Sequence, residues 1–287
     1  ERQDWSNLPE TVYRREGLSL RQMTEAQVTL AHALLQASLS AQGYQKATDI
    51  ILIEDLLNQS GDANAYADLY FVGIFDEPSM DSPWGWQFDG HHLALNFTAI
   101  GNEVTFSPSL WGTYPSIWEG GTYDGLRPME DEEVLAWSFV QSLSDEQLEV
   151  ALVSEVDPGD LYAGPHQDDN LPEPDGLPIA DLTSDQRGAV IAMIETYVGN
   201  LTDAHAALRM AEIEETLDDA MIAWMGSVVE GESMYYRIQG SRVLVEFDHT
   251  NGPDHFHAVY RDPANDYGQN WLQRHRSEFH GTHPIQH

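Results

Sequence analysis

Histidines and carboxylates that recur at short spacing supply both metal ligands and acid–base groups, and this chain distributes them unevenly. Seven of its twelve histidines lie between His249 and His287, including the alternating pair His255 and His257. Alternate residues of a strand share a face, so these two imidazoles project together while Phe256, Ala258 and Tyr260 point the other way, toward a core. Upstream, Val243, Val245 and Phe247 form an apolar set that leaves Glu246 and Asp248 on the opposite face. If the connection His249 to Asp254, with its Gly252-Pro253 pair, closes a hairpin, a register pairing Asp248 with His255 also pairs Glu246 with His257. Imidazoles and carboxylates then converge on one patch, the donor set that a divalent transition metal takes with a position left for water. A slip of one residue would turn the carboxylates to the wrong face.

A second group runs from Gly85 to Phe97, through Gly90-His91-His92-Leu93. Leu93, Leu95 and Phe97 make a core stripe, so His92 and Asn96 lie opposite it, and His92 becomes the further imidazole of the patch. His91 reads as a stripe or turn histidine bonded to a backbone carbonyl. A third group follows Tyr260, with Arg261 beside Asp262 as an ion pair or an orienting set for imidazoles, then Trp271, His275 and Phe279 at four-residue spacing. The expected metal ligands are therefore His92, Glu246, His255 and His257, with Glu246, Asp262 and His275 as catalytic or supporting groups. His249 reads as incidental, and His280, His283 and His287 as a solvated tail.

The elements that must position these residues alternate in character. Thr24-x-x-Gln27, Ser144-x-x-Gln147 and Thr183-x-x-Gln186 are capping boxes that start helices. Further helices are expected over about 47–57 and 131–143, from Asp203 to near Trp224, and from Tyr267 to Phe279. Strands are expected at Tyr70–Phe75, Gly85–Phe88, His92–Phe97 and Val104–Phe106, then at Met234–Ile238, Val243–Asp248 and Phe256–Arg261. The stretch 157–181 carries Pro158, Pro165, Pro172, Pro174 and Pro178 and reads as a long loop. Its acidic residues Asp157, Asp160, Asp168, Asp169 and Asp175 lack the spacing of a calcium-binding hand and read as a solvated loop. Two small separate sheets would each leave an apolar face uncovered, so both strand blocks should join one sheet. The fold class is α+β, a mainly antiparallel sheet with helices packed on one face, in a single domain over 1–287 with a core from 20 to 280 and a tail from 281 to 287.

Composition narrows the function. With 48 acidic and 13 basic residues the formal charge is -35, which excludes nucleic acid as a partner. Lys46 is the sole lysine, a bias toward arginine that suits a saline habitat or reflects plain acidity. The chain has no cysteine, so disulfides, thiolate ligands and iron–sulfur clusters are out, and a metal must be held by nitrogen and oxygen. No apolar run is long enough to span a membrane. The chain begins without Met, which leaves room for a removed leader. There is no GxSxG, no HExxH and no phosphate-binding glycine loop.

Taken in order, Gly85-Trp86-Gln87-Phe88-Asp89-Gly90-His91-His92-Leu93, Tyr235-Tyr236-Arg237-Ile238-Gln239-Gly240, Val245-Glu246-Phe247-Asp248 and His255-x-His257 through Arg261-Asp262 to Asp266-Tyr267-Gly268 and His275 resemble a bacterial family known as domain of unknown function thirty-five hundred. The resemblance spans about Arg21 to His280. It implies that His91, His92, Glu246, His255, His257, Arg261, Asp262 and His275 match the polar signature of a family whose activity is unassigned and many of whose members look secreted. Tyr260 stands where the family has tryptophan and Arg276 where it has tyrosine.

The reading that results is an extracellular or periplasmic metal-dependent enzyme with one copper, zinc or iron ion. Trp84, Trp86, Trp111, Trp118, Tyr114 and Tyr123 near the site favour an oxidoreductase that uses copper or iron on a small or carbohydrate-like substrate. The alternatives are a zinc hydrolase, a non-catalytic metal- or carbohydrate-binding module, and metal-free acid–base chemistry through Glu246 or Asp262 and a histidine.

Overall fold

The computed structural model describes residues 3–167 and 170–279; Asp168, Asp169, His280, His283 and His287 lie outside them. In chain order the elements are β1 Leu18–Ser19, α1 Glu25–Ser38, α2 Ala41–Gln59, β2 Phe71–Phe75, β3 Trp84–Gly90, β4 Leu93–Ile100, β5 Glu103–Thr105, β6 Ser109–Thr113, α3 Glu130–Gln141, α4 Asp145–Ala151, β7 Leu152–Ser154, β8 Leu177–Pro178, α5 Ser184–Val198, α6 Asp203–Glu214, β9 Met221–Gly226, β10 Met234–Gln239, β11 Leu244–His249, β12 Phe256–Arg261 and α7 Gln269–Phe279. The three capping boxes form as the sequence predicts: Thr24, Ser144 and Thr183 each accept from the backbone N–H three residues on, a contribution of about 1 kcal/mol per helix.

All strands join one sheet in the order β1-β2-β3-β4-β6-β12-β11-β10-β9-β7, with β5 added to β4 and β8 to β9. Among the described residues, only β7 runs parallel to its neighbour. The protein is thus α+β with a mainly antiparallel sheet. Two central strands differ from the sequence-based reading. β6 is not among the expected strands; Pro108 and Pro115 bracket it and lie outside the ladders it makes with β4 and β12. β9 lies where the helix from Asp203 was expected to continue. That helix ends at Glu214, and Met221–Met225, an unbroken apolar run ended by Gly226, is buried on both faces as a central strand. Likewise Leu177–Pro178, inside the predicted loop, adds a short rung to β9.

The sheet has unequal faces. Trp86, Phe88, Leu93, Leu95, Phe97, Trp111, Tyr236, Val245, Phe247, Phe256 and Tyr260 join the helices in the main core. The other face carries a smaller apolar cluster, Ala94, Leu110, Leu244 and Val259, roofed by Trp5, Leu161, Ala163 and Tyr267. The N-terminal segment, the Pro/Asp-rich loop and the helical turn Asp266–Gly268 that carries Tyr267 cover this roofed part. Arg15 pins the first, donating to the carbonyls of Ser6, Leu8 and Gly90 and pairing with Asp89 at 3.2 Å. Glu246 pins the second, accepting from the backbone N–H groups of Tyr162 and Ala163 and from the Tyr235 hydroxyl. No helix of the described residues is long and apolar enough to cross a membrane.

Lys46 is buried on α2 in an ion pair with Glu132 of α3, donates to the Thr196 carbonyl of α5, and lies 5.7 Å from the centre of the Trp111 ring on β6. One side chain thus ties three helices to the middle of the sheet. Removing one partner of such a pair leaves an uncompensated buried charge, whereas replacing both by apolar groups of similar size costs little. Lys46→Met should therefore lower stability by about 3–5 kcal/mol, and Lys46→Met/Glu132→Leu should recover most of it. Urea unfolding midpoints of the two variants test this; equal losses in both would refute it.

Candidate metal centre

Between β3 and β4 the chain reverses through two residues, His91 and His92, closed by the Gly90 and Leu93 pair. His92 adopts a φ of 62°, a left-handed conformation that costs a residue with a Cβ about 1–2 kcal/mol. Its backbone is held from both sides: the His92 N–H donates to the Asn7 carbonyl at 3.1 Å, and the His92 carbonyl accepts from Gly112 N–H at 2.7 Å. Gly112 on β6 is paired in turn with His257 on β12. A Cβ on Gly112 would stand 3.1 Å from a ring carbon of His257 and 3.2 Å from one of His92. The glycine is the space in which the two imidazoles meet.

His255, just ahead of β12, completes the group. Its ring centre lies 5.0 Å from that of His92 and 4.6 Å from that of His257, and the remaining pair is 5.6 Å apart. One nitrogen of each of the three histidines lies within 4.8 Å of the others. His92 Nε2 and His255 Nε2 are 2.9 Å apart, a few tenths under the roughly 3.3 Å that two imidazoles on a tetrahedral ion with 2.0 Å bonds would show.

Two carboxylates stand behind these rings. Glu54, wholly buried on α2, places Oε1 2.9 Å from His92 Nδ1 and Oε2 2.9 Å from His91 Nδ1. Asp160, from the Pro/Asp-rich loop, places Oδ1 3.0 Å from His257 Nδ1, and Asn7 Nδ2 lies 3.3 Å from His257 Nε2. A carboxylate accepts, so Glu54 fixes the proton of His92 on Nδ1 and leaves Nε2 with a lone pair; His255 Nε2 is then the donor of the 2.9 Å contact. Loss of that one proton turns the contact into two lone pairs aimed at one point. A carboxylate on the far nitrogen of a ligating imidazole sets ring orientation and raises basicity.

Electrostatics agree with geometry. Burial, then the neighbouring imidazoles, holds His92 well below the usual histidine range. Burial, with His257 and His91, brings His255 down to about 4. Both are neutral near pH 7, the state a ligand needs. Burial would raise Asp160, but the hydrogen bond and charge of His257 hold it below the usual carboxylate value. The donors present, three imidazoles with one nitrogen each within 4.8 Å of the others and two carboxylates behind them, suit a transition-metal ion and fit a hard cation poorly.

The structure brings His92, His255 and His257 together and places the other predicted residues elsewhere. The hairpin register differs from the expected one by two residues: Asp248 pairs with His257, and Glu246 with Val259. The connection keeps the expected six residues but starts and ends one residue later, running from Thr250 to His255, so His255 falls outside the ladder. A shift of two keeps every side chain on its face but changes every partner. Glu246 has both oxygens engaged by the Pro/Asp-rich loop and Tyr235, as described above. Asp262 lies on the helix-bearing side, 3.0 Å from Arg209 and 3.6 Å from Arg242, beside a cleft of about 390 Å³ lined also by Tyr260 and Trp271. His275 is half-buried on α7, and neither residue belongs to the imidazole group.

Glu54 and Asn7 escape the sequence-based reading, and Asp160, expected as a solvated loop carboxylate, instead holds His257. Only Glu54 carried a signal: it occupies the apolar stripe Ala47, Ile50 and Ile53 of α2, all buried, where an unpartnered carboxylate would be costly. Of the predicted aromatics, Trp86 and Trp111 are core, while Tyr114 is exposed with its ring centre 5.4 Å from that of His255. Ser116 fixes this neighbourhood by bonding Asp254 through its N–H and hydroxyl. On the other side a cleft of about 120 Å³, lined by Asn7, Tyr13, Asp160 and His166, reaches the two groups that bond His257.

Set against known families, residues 1–269 match the model of a family described as a protein of unknown function, DUF3500. No curated protein and no solved structure matches the chain.

Glu54→Gln keeps the shape of the side chain and removes the charge behind His92, so it should weaken transition-metal binding by about 10–100-fold, as read by competition with a chromogenic chelator. In wild type, the part of the affinity that His255 supplies should survive acidification from pH 7 and be lost as the pH falls through about 4, where His255 protonates. Unchanged affinity in Glu54→Gln, or no further loss of binding as the pH passes through about 4, would contradict this geometry.

Proposed function

Since the chain belongs to the DUF3500 family, which carries no assigned activity, we propose on geometric grounds that it is a metal-dependent oxidoreductase holding one copper ion through His92, His255 and His257. The observation that carries this reading is the convergence of three imidazole nitrogens within 4.8 Å, with Glu54 and Asp160 behind them rather than among them. Glu54, His91 and His92 form a second potential group of two imidazoles and a carboxylate that shares His92; copper is preferred here for the three-imidazole group, because among divalent ions it binds nitrogen sets most tightly. Bound copper would supply electron-transfer chemistry, with dioxygen or peroxide taking up the electrons that the substrate gives.

The protein's own groups have distinct parts in this reading. His92 is the fixed member, locked by Glu54, Asn7 and Gly112. His255 faces the partly open side, where Tyr114 offers a ring on which a small or carbohydrate-like substrate rests. The 120 Å³ cleft by Asp160 holds a few water-sized molecules and lies well below the roughly 300–1,000 Å³ of ordinary ligand pockets, which suits passage of a small oxidant. An extracytoplasmic setting is part of the proposal; a chain with no cysteine and a net charge of -35 suits it.

A zinc hydrolase is the second reading, favoured by the Glu54 to His92 and Asp160 to His257 pairs, which recur behind zinc-binding imidazoles. Metal analysis and electron paramagnetic resonance of protein purified without a histidine tag decide between them. Copper at one per chain with nitrogen hyperfine structure, lost in His255→Ala/His257→Ala, is the expected result. Zinc alone, with hydrolysis that only zinc restores after chelation, would select the second reading. No transition metal in wild type and no loss of affinity in the double variant would remove both.

A further inference from the structure

Beside the imidazoles lies a second group of charges that the reading above does not use. Asp248, at the end of β11, is 0% exposed. Its Oδ1 accepts from the Thr250 hydroxyl at 2.8 Å, while Oδ2 is buried with no hydrogen-bond partner. Asp157, at the start of the Pro/Asp-rich loop, accepts from Gly159 N–H through Oδ1, and its Oδ2 is likewise buried without a partner. Asp157 reaches this place because Gly226, at the end of β9, has no side chain: a Cβ there would stand 3.2 Å from that of Asp157. β9, β10 and β11 are successive in the sheet, and Met225, Tyr235 and Asp248 lie in one row across it.

Two carboxyl groups therefore meet, each with one buried oxygen that has no partner but the other carboxyl. Burial first, then the charge of Asp157, pushes Asp248 up to about 8; the Thr250 hydrogen bond opposes this, a hydrogen bond shared with Asp157 and the charge of Asp160 reinforce it, and the leading charged influences include no cation. Two buried carboxyl oxygens in contact are stable only with a proton or a metal ion between them. The two oxygens come from a strand end and an irregular loop, a setting that tolerates the variable coordination of calcium better than the strict octahedron of magnesium.

The geometry points to a hard-cation site, for calcium, between Asp157 Oδ2 and Asp248 Oδ2, with water completing the shell. It is separate from the imidazole group and does not depend on the copper reading. Its consequence is structural: an ion there clasps the loop that carries Asp160 and Tyr162 onto the sheet beside His257.

Calcium titration of the whole protein, followed by calorimetry and thermal melting at constant ionic strength, tests the site. An affinity on the order of 10⁻⁴ M and a rise in Tm of about 5 °C at saturating calcium are expected for wild type. Asp248→Asn should abolish both, Asp157→Asn should weaken binding at least about tenfold, and His255→Ala/His257→Ala should leave both intact. If calcium gives no heat and no shift in wild type, or the same shift in Asp157→Asn and Asp248→Asn, the ion only screens the acidic surface and the two carboxyls share a proton instead, which overturns the proposal. Loss of copper binding alone would leave this result untouched.

Discussion

The antiparallel pairing of β6 with β12 is the contact on which the rest depends. Without it the strands that begin at Phe71 and those that begin at Met221 would be two small sheets, each with an apolar face exposed. With it, His92 from one half and His257 from the other stand over Gly112, the single position where β6 carries no side chain to keep them apart. The same strand sets Trp111 on the helix side beneath Lys46. One five-residue strand thus joins the halves of the fold, supplies part of its main core and gauges the spacing of the site.

The site lies at the rim where strands end, and this position explains its mixed supporting cast. On the helix side α2 brings Glu54; on the other side the loop brings Asp160 and the N-terminal segment brings Asn7. A centre buried within either layer would have been reached from one side only. The cost is that half of its support comes from irregular chain, which the fold offsets by anchoring each segment with a buried charge: Arg15 for the N-terminal segment and Glu246 for the loop. Burial raises Glu246, opposed by the hydrogen bonds from Tyr235, Ala163 and Tyr162, so the anchor works because its donors are already in place.

Local periodicity made much of this legible in the sequence. Alternation assigned the faces of β4, β11 and β12, and the side-chain caps at Thr24, Ser144 and Thr183 marked helix starts, because both signals are set within a few residues. What periodicity cannot convey is which distant residue stands behind a given imidazole. Glu54 is 38 residues from His92, and Asp160 is 97 from His257; both are chosen by packing. Register failed for a related reason: alternation fixes faces, and the six residues between β11 and β12 left the offset free. Prolines at both ends disguised β6, and an apolar run that fits either helix or strand disguised β9.

Lys46 has a chemical consequence beyond its contribution to the core. It is the sole lysine of the chain, and it is buried among α2, α3 and α5. The folded surface therefore presents no lysine amine, and any reagent or modifying enzyme directed at that group meets its target only while those helices are parted. The ε-amine of Lys46 is a built-in recorder of opening, whose rate of labelling counts excursions of the helical layer away from the sheet.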